Sequence, residues 1–253
     1  MSTIKKEKIN CQKICCNNRN FLKARNAFYI ILFLMNAPAF SQSPSGTTGS
    51  WLMFFNQTRL HNKWSVHTDA QYRSFEIIPN TEQLLLRAGL NYHINNNYSI
   101  STGYANISNF HFDKEQIPGI QVCENRIWQQ FLMKNNLGHV NFEHRYRLEQ
   151  RWLQSNSGDK YLNRIRYLIR ATIPLNKKTI KRNTVFLTFY DELFIHFSST
   201  PFDRNRLYGA IGYQFSPNLN VQLGYLAQTV NITTKHYLQT AVFYNLDFQK
   251  KKM

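Results

Sequence analysis

Polar and apolar positions alternate with a period of two along most of the chain after about residue 50. Between Phe142 and Trp152, ionic side chains occupy the odd positions, whereas rings and aliphatic side chains take most of the even ones. After a polar break at 154–160 the pattern returns with arginines at even positions, from Arg164 to Arg170. Successive side chains of an extended strand point to opposite faces, so this period is typical of strands rather than helices. The stretch therefore predicts two long strands, each with one ionic and one apolar face.

The same reading predicts eleven strand-like segments over the rest of the chain. They lie at 51–60, 63–74, 82–94, 97–108, 124–135, 139–152, 161–173, 183–195, 204–215, 219–230 and 236–248. The first segment is apolar on both faces and is the least clear of them. Strands of soluble proteins average about 5–6 residues, whereas strands that cross an outer membrane need about 9–11. The lengths favour a membrane barrel.

The predicted connections alternate between short and long, and aromatic residues lie near strand ends. Short ones fall at 61–62, 95–96, 136–138 and 216–218, with 175–181 somewhat longer, and long ones at 75–81, 109–123, 153–160, 196–203 and 231–235. Short turns at one end and long loops at the other are typical of outer-membrane barrels. The aromatic residues expected in the interfacial girdles are Trp51, Trp64, Tyr98, Trp152, Tyr161 and Phe215.

The cost of placing arginine in lipid decides which face of these strands points inward. An arginine facing hydrocarbon near the membrane centre costs about 2–4 kcal/mol. Several such residues would cancel a domain's whole stability of about 5–15 kcal/mol. The ionic faces should therefore line the lumen, where carboxylates can pair with the arginines. The predicted lumen network comprises Arg73, Arg87, Glu124, Arg126, Glu143, Arg145, Arg147, Glu149, Arg151, Arg164, Arg166, Arg170, Glu192 and Arg206.

The predicted fold class is all-β: an antiparallel transmembrane β-barrel of the outer-membrane type with about 10–12 strands. Bacterial single-chain barrels have even strand numbers. Eleven segments therefore leave two alternatives open: the first segment is not a barrel strand, which gives ten, or one strand is missed, which gives twelve.

The first 41 residues match a secretory signal peptide. A basic region is followed by the apolar run Ala27–Met35 and by small residues, with cleavage expected before Gln42. The alternative, a transmembrane anchor, is disfavoured because the apolar run is shorter than the roughly 20 residues that a bilayer requires. Segment 42–50 is expected to be flexible, 51–248 to form the barrel and 249–253 to be a basic tail.

Cleavage would lower the formal charge from +17 to +11, since seven basic and one acidic residue lie in residues 1–41. It would also leave Cys123 as a lone thiol, expected in a loop, with no disulfide framework. The histidines show no metal-ligand spacing, so neither a metal nor another cofactor is expected. A basic chain raises the question of nucleic acid, but no recognition motif supports such a partner.

The chain also resembles a known family: the uncharacterised outer-membrane β-barrel proteins of Bacteroidetes type, grouped as domain of unknown function 2490. The resemblance is carried, in order, by Asp69–Arg73, Glu124–Gln130, His144–Trp152, Asn163–Arg166, Tyr190–Phe194, Phe202–Tyr208, and Gly224-Tyr225 with Gln228. It spans residues 50–248 and implies a signal peptide, a barrel and an outer-membrane location. It implies no activity.

A weak catalytic motif lies between the eighth and ninth segments. His196, Ser198 and Asn205 are similar to the base, nucleophile and orienting residue of outer-membrane phospholipases. The spacing to Asn205 is shorter than in that family, and Ser199-Thr200 replaces its usual Asn-Gly. Polar residues of a loop explain the motif more simply, so the protein is expected not to be an enzyme.

The sequence thus predicts an outer-membrane barrel, either structural or a narrow pore with an Arg/Glu-lined lumen. Because the interior of a small barrel holds little beyond its own side chains, a closed lumen is favoured over an anion-preferring pore. The expected partners are outer-membrane lipid, lipopolysaccharide and the barrel-assembly machinery. Two alternatives are a phospholipase-like hydrolase of the outer membrane and a soluble periplasmic β-protein that binds acidic glycans.

Overall fold

The computed structural model describes residues 48–77, 80–112, 119–198 and 200–248. The predicted signal peptide, residues 42–47 of the segment expected to be flexible and the basic tail lie outside these residues, whereas residues 49 and 50 of that segment already belong to a strand. The eleven strands are β1 (Gly49–His61), β2 (Trp64–Ser74), β3 (Thr81–His93), β4 (Tyr98–Phe110), β5 (Ile120–Leu137), β6 (Val140–Ser155), β7 (Lys160–Pro174), β8 (Thr184–His196), β9 (Phe202–Gln214), β10 (Leu219–Val230) and β11 (Thr233–Asp247). No helix that could cross a membrane occurs among the described residues.

The strands form one closed barrel in which each pairs with its neighbours in sequence. All of these pairings are antiparallel except the one that closes the barrel, in which β1 pairs with β11 in parallel from Gly49↔Tyr237 to Arg59↔Asp247. The predicted fold class is confirmed, and the described residues form eleven strands, which close the barrel. The alternatives of ten and twelve strands are both wrong. With an odd number the first and last strands run in the same direction, and a parallel ladder pairs their backbone groups.

The apolar inner face of β1 explains how this seam is held. Trp51, Met53 and Phe55 point into the barrel and pack with apolar residues of β8 to β11. The Trp51 ring lies 4.8 Å from that of Tyr237, and Phe55 stacks on Phe243 at 4.7 Å between centroids. The first segment is therefore apolar on both sides for two reasons: one face packs this inner cluster and the other forms the outer wall.

The barrel is polar inside and apolar outside. Large hydrophobic side chains of the outer wall are exposed on all sides, for example Leu52, Leu86, Ile127, Ile165 and Ile211. Arginines and carboxylates of the inner faces are instead buried. This distribution is the reverse of that in a soluble protein, whose large apolar side chains are mostly inside.

Three expectations about details are corrected by the structure. β5 begins at Ile120, so Cys123 lies in a strand and not in a loop. The connections β4–β5 and β10–β11 are only 111–119 and 231–232, and the β7–β8 connection at the opposite end spans 175–183. Because the strands continue into the predicted loops, the length difference between the two ends is small. Trp51 is not in an interfacial girdle, since it is buried inside the barrel.

Candidate functional site: the arginine-lined lumen

One cavity of about 590 Å³ extends along the barrel interior. We call the end with the β1–β2 and β3–β4 turns the turn mouth, and the opposite end, with the β2–β3 and β4–β5 connections, the loop mouth. The lining includes Asn95–Asn97 in the β3–β4 turn at the turn mouth. It also includes Gln83, Asn109 and Val122 at the strand ends of the loop mouth. The interior is thus not filled completely by its own side chains.

The lining carries many more cations than anions. Every predicted lumen residue has its side chain on the inner face, and all but the fully buried Glu149 line the cavity. Among the described residues, twelve lysine and arginine side chains line it against four aspartate and glutamate side chains. Because charges in a narrow, low-dielectric space act over longer distances than in water, this excess makes the lumen electropositive.

Many of these arginines belong to a carboxylate-paired network on β5 to β9. Its centre is Glu149, which is 0% exposed. The Glu149 carboxylate accepts hydrogen bonds from Arg126 Nη1 at 3.2 Å, Arg164 Nε at 3.0 Å and Arg166 Nη1 at 2.7 Å. Arg166 also donates to Glu192 Oε1 through Nε at 3.0 Å and Nη2 at 2.6 Å. Alternation along β6 to β8 brings these residues side by side, because Glu149 pairs with Arg164 in the ladder.

Two further carboxylates extend the network towards the loop mouth. The Glu124 carboxylate accepts hydrogen bonds from Arg126 and from Arg151, whose Nε and Nη2 lie at 2.7 and 2.9 Å. Asp203 accepts from Arg164 and Arg204. Asp203 and Arg204 are not among the predicted lumen residues. A register shift at Phe194/Ile195 in the β8–β9 ladder puts both side chains on the lumen side, which regular alternation forbids for neighbouring residues.

Arg147 is held in a different way. Its Nε and Nη2 both donate to Gln130 Oε1, at 3.0 and 2.6 Å. Its guanidinium carbon lies 4.8 Å from the ring centroid of Trp128. Within the described part of the chain, no carboxylate is within ion-pair distance of Arg147, and its Nη1 has no hydrogen-bond partner. Arg147 is only 3% exposed, so this buried cation keeps its charge uncompensated by a carboxylate.

Arg73 repeats this arrangement on another strand. Its Nη2 donates to Gln71 Oε1 at 2.7 Å, and its guanidinium carbon lies 4.0 Å from the ring centroid of Trp51. Its Nε has no partner among the described residues. Arg206 is intermediate: Nε donates to Gln228 at 2.7 Å, while Nη1 is 3.9 Å from Glu192. We call Arg73 and Arg147 the glutamine-held arginines.

Two glycines make room for the ring on which Arg147 stacks. Gly89 and Gly103 face the lumen on β3 and β4, opposite each other in the ladder. A Cβ at either position would overlap the Trp128 ring. The indole therefore lies directly against the bare backbone of these strands, which glycine alone permits at this close approach. The position of Trp128, and with it that of Arg147, depends on these two residues.

The glutamines and tryptophans that hold these arginines are not among the predicted lumen residues. Gln130 has the same parity as the lumen-facing Glu124 and Arg126, and Gln71 the same parity as Arg73. That pattern assigns both to the inner face. It does not reveal which arginine each one holds, because Gln130 meets Arg147 only through the register of β5 with β6.

The three residues of the predicted hydrolase motif have separate partners. His196 Nε2 lies 3.5 Å from Asp203 Oδ2 on the lumen side. Ser198 Oγ donates to the carbonyl of Thr200. Asn205 lies on the outer wall, where it donates to Asp191 and to the Glu192 carbonyl. The arrangement in which a base activates a nucleophile and is oriented by a third residue is not formed.

The adjacent carboxylates Asp191 and Glu192 point to opposite faces of β8, as neighbouring residues of a strand do. Glu192 belongs to the network, as described above. Asp191 faces outward and has Asn205 as its hydrogen-bond partner. No group of histidine, cysteine and carboxylate side chains that could hold a metal ion occurs in the part of the chain that the structure describes.

Comparisons with known proteins give a family and a distant structural neighbour. Residues 48–239 match the model of a family described as "Protein of unknown function (DUF2490)". The search of curated proteins finds no match. A solved structure described as "NanC porin structure in rhombohedral crystal form" is similar with a TM-score of 0.49 and 12% sequence identity, covering 78% of this chain and 98% of that chain.

Proposed function

We propose that this chain, which belongs to the DUF2490 family of proteins of unknown function, spans the outer membrane and provides a narrow, anion-preferring passage. The observation that carries the proposal is the cation excess along one cavity whose lining includes residues of both mouths. The proposal has two parts, the membrane location and the passage, and each has its own support and its own test.

The membrane location is supported by the apolar outer wall. Burial of apolar surface is favourable by roughly 25 cal/mol per Å². A wall with side chains such as Leu52, Leu86 and Ile211 exposed would lose this gain in water, whereas hydrocarbon provides it. A closed barrel also leaves no unpaired strand edge in the membrane. The partners that follow are outer-membrane lipid, lipopolysaccharide and the barrel-assembly machinery, with no nucleic acid.

Extraction and gel mobility test the membrane location. We expect the protein to remain in the membrane fraction until detergent is added, and to migrate differently on SDS gels before and after boiling. Recovery in the wash fraction, as a monomer without detergent, would contradict the location. That result would favour the alternative of a soluble periplasmic protein that binds acidic glycans.

The passage is supported by the composition of the cavity lining. Cations at the wall of a narrow pore attract anions and repel cations, as rings of arginine and lysine do in anion pores. The carboxylate-paired network narrows the lumen from the β5–β9 side. The apolar cluster around Trp51, on β1 and β8 to β11, also occupies part of the lumen. The structure thus supports small solutes rather than large ones, in a barrel whose interior is partly filled.

Planar-bilayer recordings of the refolded protein test the passage. Under a KCl gradient we expect small conductance steps and a reversal potential of the sign that chloride permeation gives. The variant Arg182→Gln serves as a control, since it removes one exposed charge from the β7–β8 connection and none from the cavity. The absence of any conductance would establish the closed-lumen alternative, and a cation-selective reversal potential would contradict anion preference.

We further propose that the protein is not an enzyme. The support is the separation of His196, Ser198 and Asn205 described above. Lipid hydrolysis by the refolded protein that is abolished by Ser198→Ala would contradict this and restore the phospholipase alternative.

A further inference from the structure

We propose that the two glutamine-held arginines are a pair of binding sites in the lumen for a small multivalent oxyanion, a di- or tricarboxylate or a polyphosphate. This inference rests on the proposed function in one respect, that solutes reach the lumen. It adds the location of the sites and the class of ligand.

The geometry of Arg147 is that of an anion receptor already fixed in place. Gln130 occupies the edge formed by Nε and Nη2, and the Trp128 ring covers one face. Gln130 and Trp128 lie on β5, and the two glycines against which the indole packs, Gly89 and Gly103, lie on β3 and β4. Because the guanidinium is held from several strands, little side-chain entropy remains to be lost when a ligand binds. Arg147 lines the cavity, and its Nη1 is buried and has no hydrogen-bond partner among the described residues.

The charge around the Arg147 guanidinium is mostly positive. Three further arginines, Arg87, Arg145 and Arg166, lie within electrostatic range of it, against one carboxylate, Glu149. A glutamine oxygen accepts a hydrogen bond but supplies no negative charge. A buried charge is strongly unfavourable without an opposite charge or water, and a dissolved anion is the partner that this site can still accept.

Arg73 provides the second site by the same means. Gln71 binds one nitrogen, the Trp51 ring covers one face, and Nε has no partner among the described residues. One carboxylate, Glu82, and two arginines, Arg204 and Arg166, lie within electrostatic range of Arg73. Both glutamine-held arginines line the same cavity, and Arg166 lies within electrostatic range of each.

The ligand class follows from guanidinium chemistry and from the number of sites. The planar N–H fork of arginine matches the oxygens of carboxylates and phosphates, whereas chloride offers no such geometry. Two sites in one cavity favour a ligand with two or more anionic groups, since the second contact is then intramolecular. Carboxylate and phosphate share this chemistry, so both need to be tested.

The decisive variant is Gln130→Glu. It keeps Arg147, nearly keeps the volume of residue 130 and supplies the carboxylate that the native site lacks. Binding of pyrophosphate and of citrate is measured by titration calorimetry on the full chain, refolded in detergent, with folding of each variant verified by heat-modifiable gel mobility. Because a charged hydrogen bond contributes about 1.5–3 kcal/mol, we expect the Kd to rise by about tenfold or more.

Two further variants make the result unambiguous. Arg147→Lys keeps the charge without the fork and should also weaken binding about tenfold, whereas Arg182→Gln removes an exposed arginine and should leave the Kd unchanged. Wild-type affinity in both Gln130→Glu and Arg147→Lys would overturn the inference, as would equal weakening by Arg182→Gln or no binding of either probe by the wild type. If Gln130→Glu does not fold, the comparison of Arg147→Lys with Arg182→Gln decides.

The calorimetric test does not depend on conductance. Binding by a protein that passes no current would contradict the proposed passage and leave the sites in place. Current without binding of either probe would contradict the sites and leave the passage. A preference for pyrophosphate or for citrate identifies which oxyanion chemistry the lumen takes.

Discussion

The lumen contains two sets of arginines that differ in the chemistry of their partners. Arg126, Arg164 and Arg166 converge on the buried carboxylate of Glu149. Arg73 and Arg147 are held by glutamine oxygens and stacked tryptophans instead. Both sets are buried, so burial alone does not distinguish them. The difference is whether carboxylates compensate the positive charge: the first set is largely neutralised within the wall, and the second lines the cavity with no carboxylate at ion-pair distance among the described residues.

This contrast separates two roles that one residue type can have in a barrel. An arginine that shares a carboxylate with others connects neighbouring strands, and removal of that carboxylate leaves several buried cations together. An arginine held by a neutral amide connects strands less strongly but keeps an electrostatic field in the lumen. We therefore expect substitutions in the first set to change stability and substitutions in the second to change selectivity.

Glu149→Gln should have the largest effect. Loss of this carboxylate leaves the positive charges of three buried arginines without their shared anion, and removal of one member of a buried ion pair costs about 3–5 kcal/mol. Urea unfolding of the refolded barrel in lipid vesicles measures the change. Glu143→Gln is the matched control, because its ion pair with Arg170 is partly exposed and should contribute about 1 kcal/mol or less. Equal losses in both variants would refute the central position of Glu149.

Gly103→Ala should have the next largest effect. The added methyl group overlaps the Trp128 ring and the Ala88 carbonyl, and overpacking of this kind costs about 1–3 kcal/mol. Because the displaced indole no longer supports Arg147, anion selectivity in bilayers should fall as well. Gly119→Ala is the control, since a Cβ there meets open space. Unchanged selectivity in a folded Gly103→Ala protein would show that the function of Arg147 does not depend on the space that Gly103 leaves for the Trp128 ring.

Gln71→Glu should lower selectivity and cost less stability than Glu149→Gln. The new carboxylate pairs with Arg73 and lowers the cation excess of the lumen, so the anion preference of the reversal potential should decrease. Stability should fall by about 1–3 kcal/mol, because the hydrogen bond that the Gln71 amide donates to Asp69 at 3.1 Å is lost and the new carboxylate lies beside that of Asp69. A loss of stability as large as that of Glu149→Gln would show that the two sets of arginines do not differ in role.

Asp191→Asn should have the smallest effect. Asp191 lies on the outer wall with Asn205 as its partner, so its removal leaves both arginine sets intact. An outward carboxylate in a membrane costs less than an arginine there, and we expect stability to be unchanged or to rise by about 1 kcal/mol. Altered anion selectivity in this variant would contradict the assignment of selectivity to the inner face.

The sequence predicts the barrel well because a period of two is a local property. The alternation along each strand shows which side chains share its polar face, and the cost of arginine in lipid indicates that this face points into the lumen. The predicted lumen residues follow from these two steps. The strand number does not, since it depends on how β1 meets β11, and only an apolar inner face at Trp51, Met53 and Phe55 indicates that the first segment belongs to the wall.

The division of the arginines into two sets is a property of register and cannot be read from one strand. Arg147 and Arg151 have the same parity on the same strand, yet the first meets Gln130 and the second Glu124. Asp203 escaped prediction for a related reason, because the local shift in the β8–β9 ladder breaks the alternation on which the prediction depends.

The parallel seam has a consequence for the topology of the chain. The polypeptide enters β1 at the loop mouth and leaves β11 at the turn mouth, whereas an even number of strands would return it to the side where it started. A bilayer around the wall would thus put the start of β1 at Gly49 and the end of β11 at Asp247 in different compartments. An epitope fused to one end would then be open to protease in intact cells, and the same epitope at the other end would become accessible only after the outer membrane is breached.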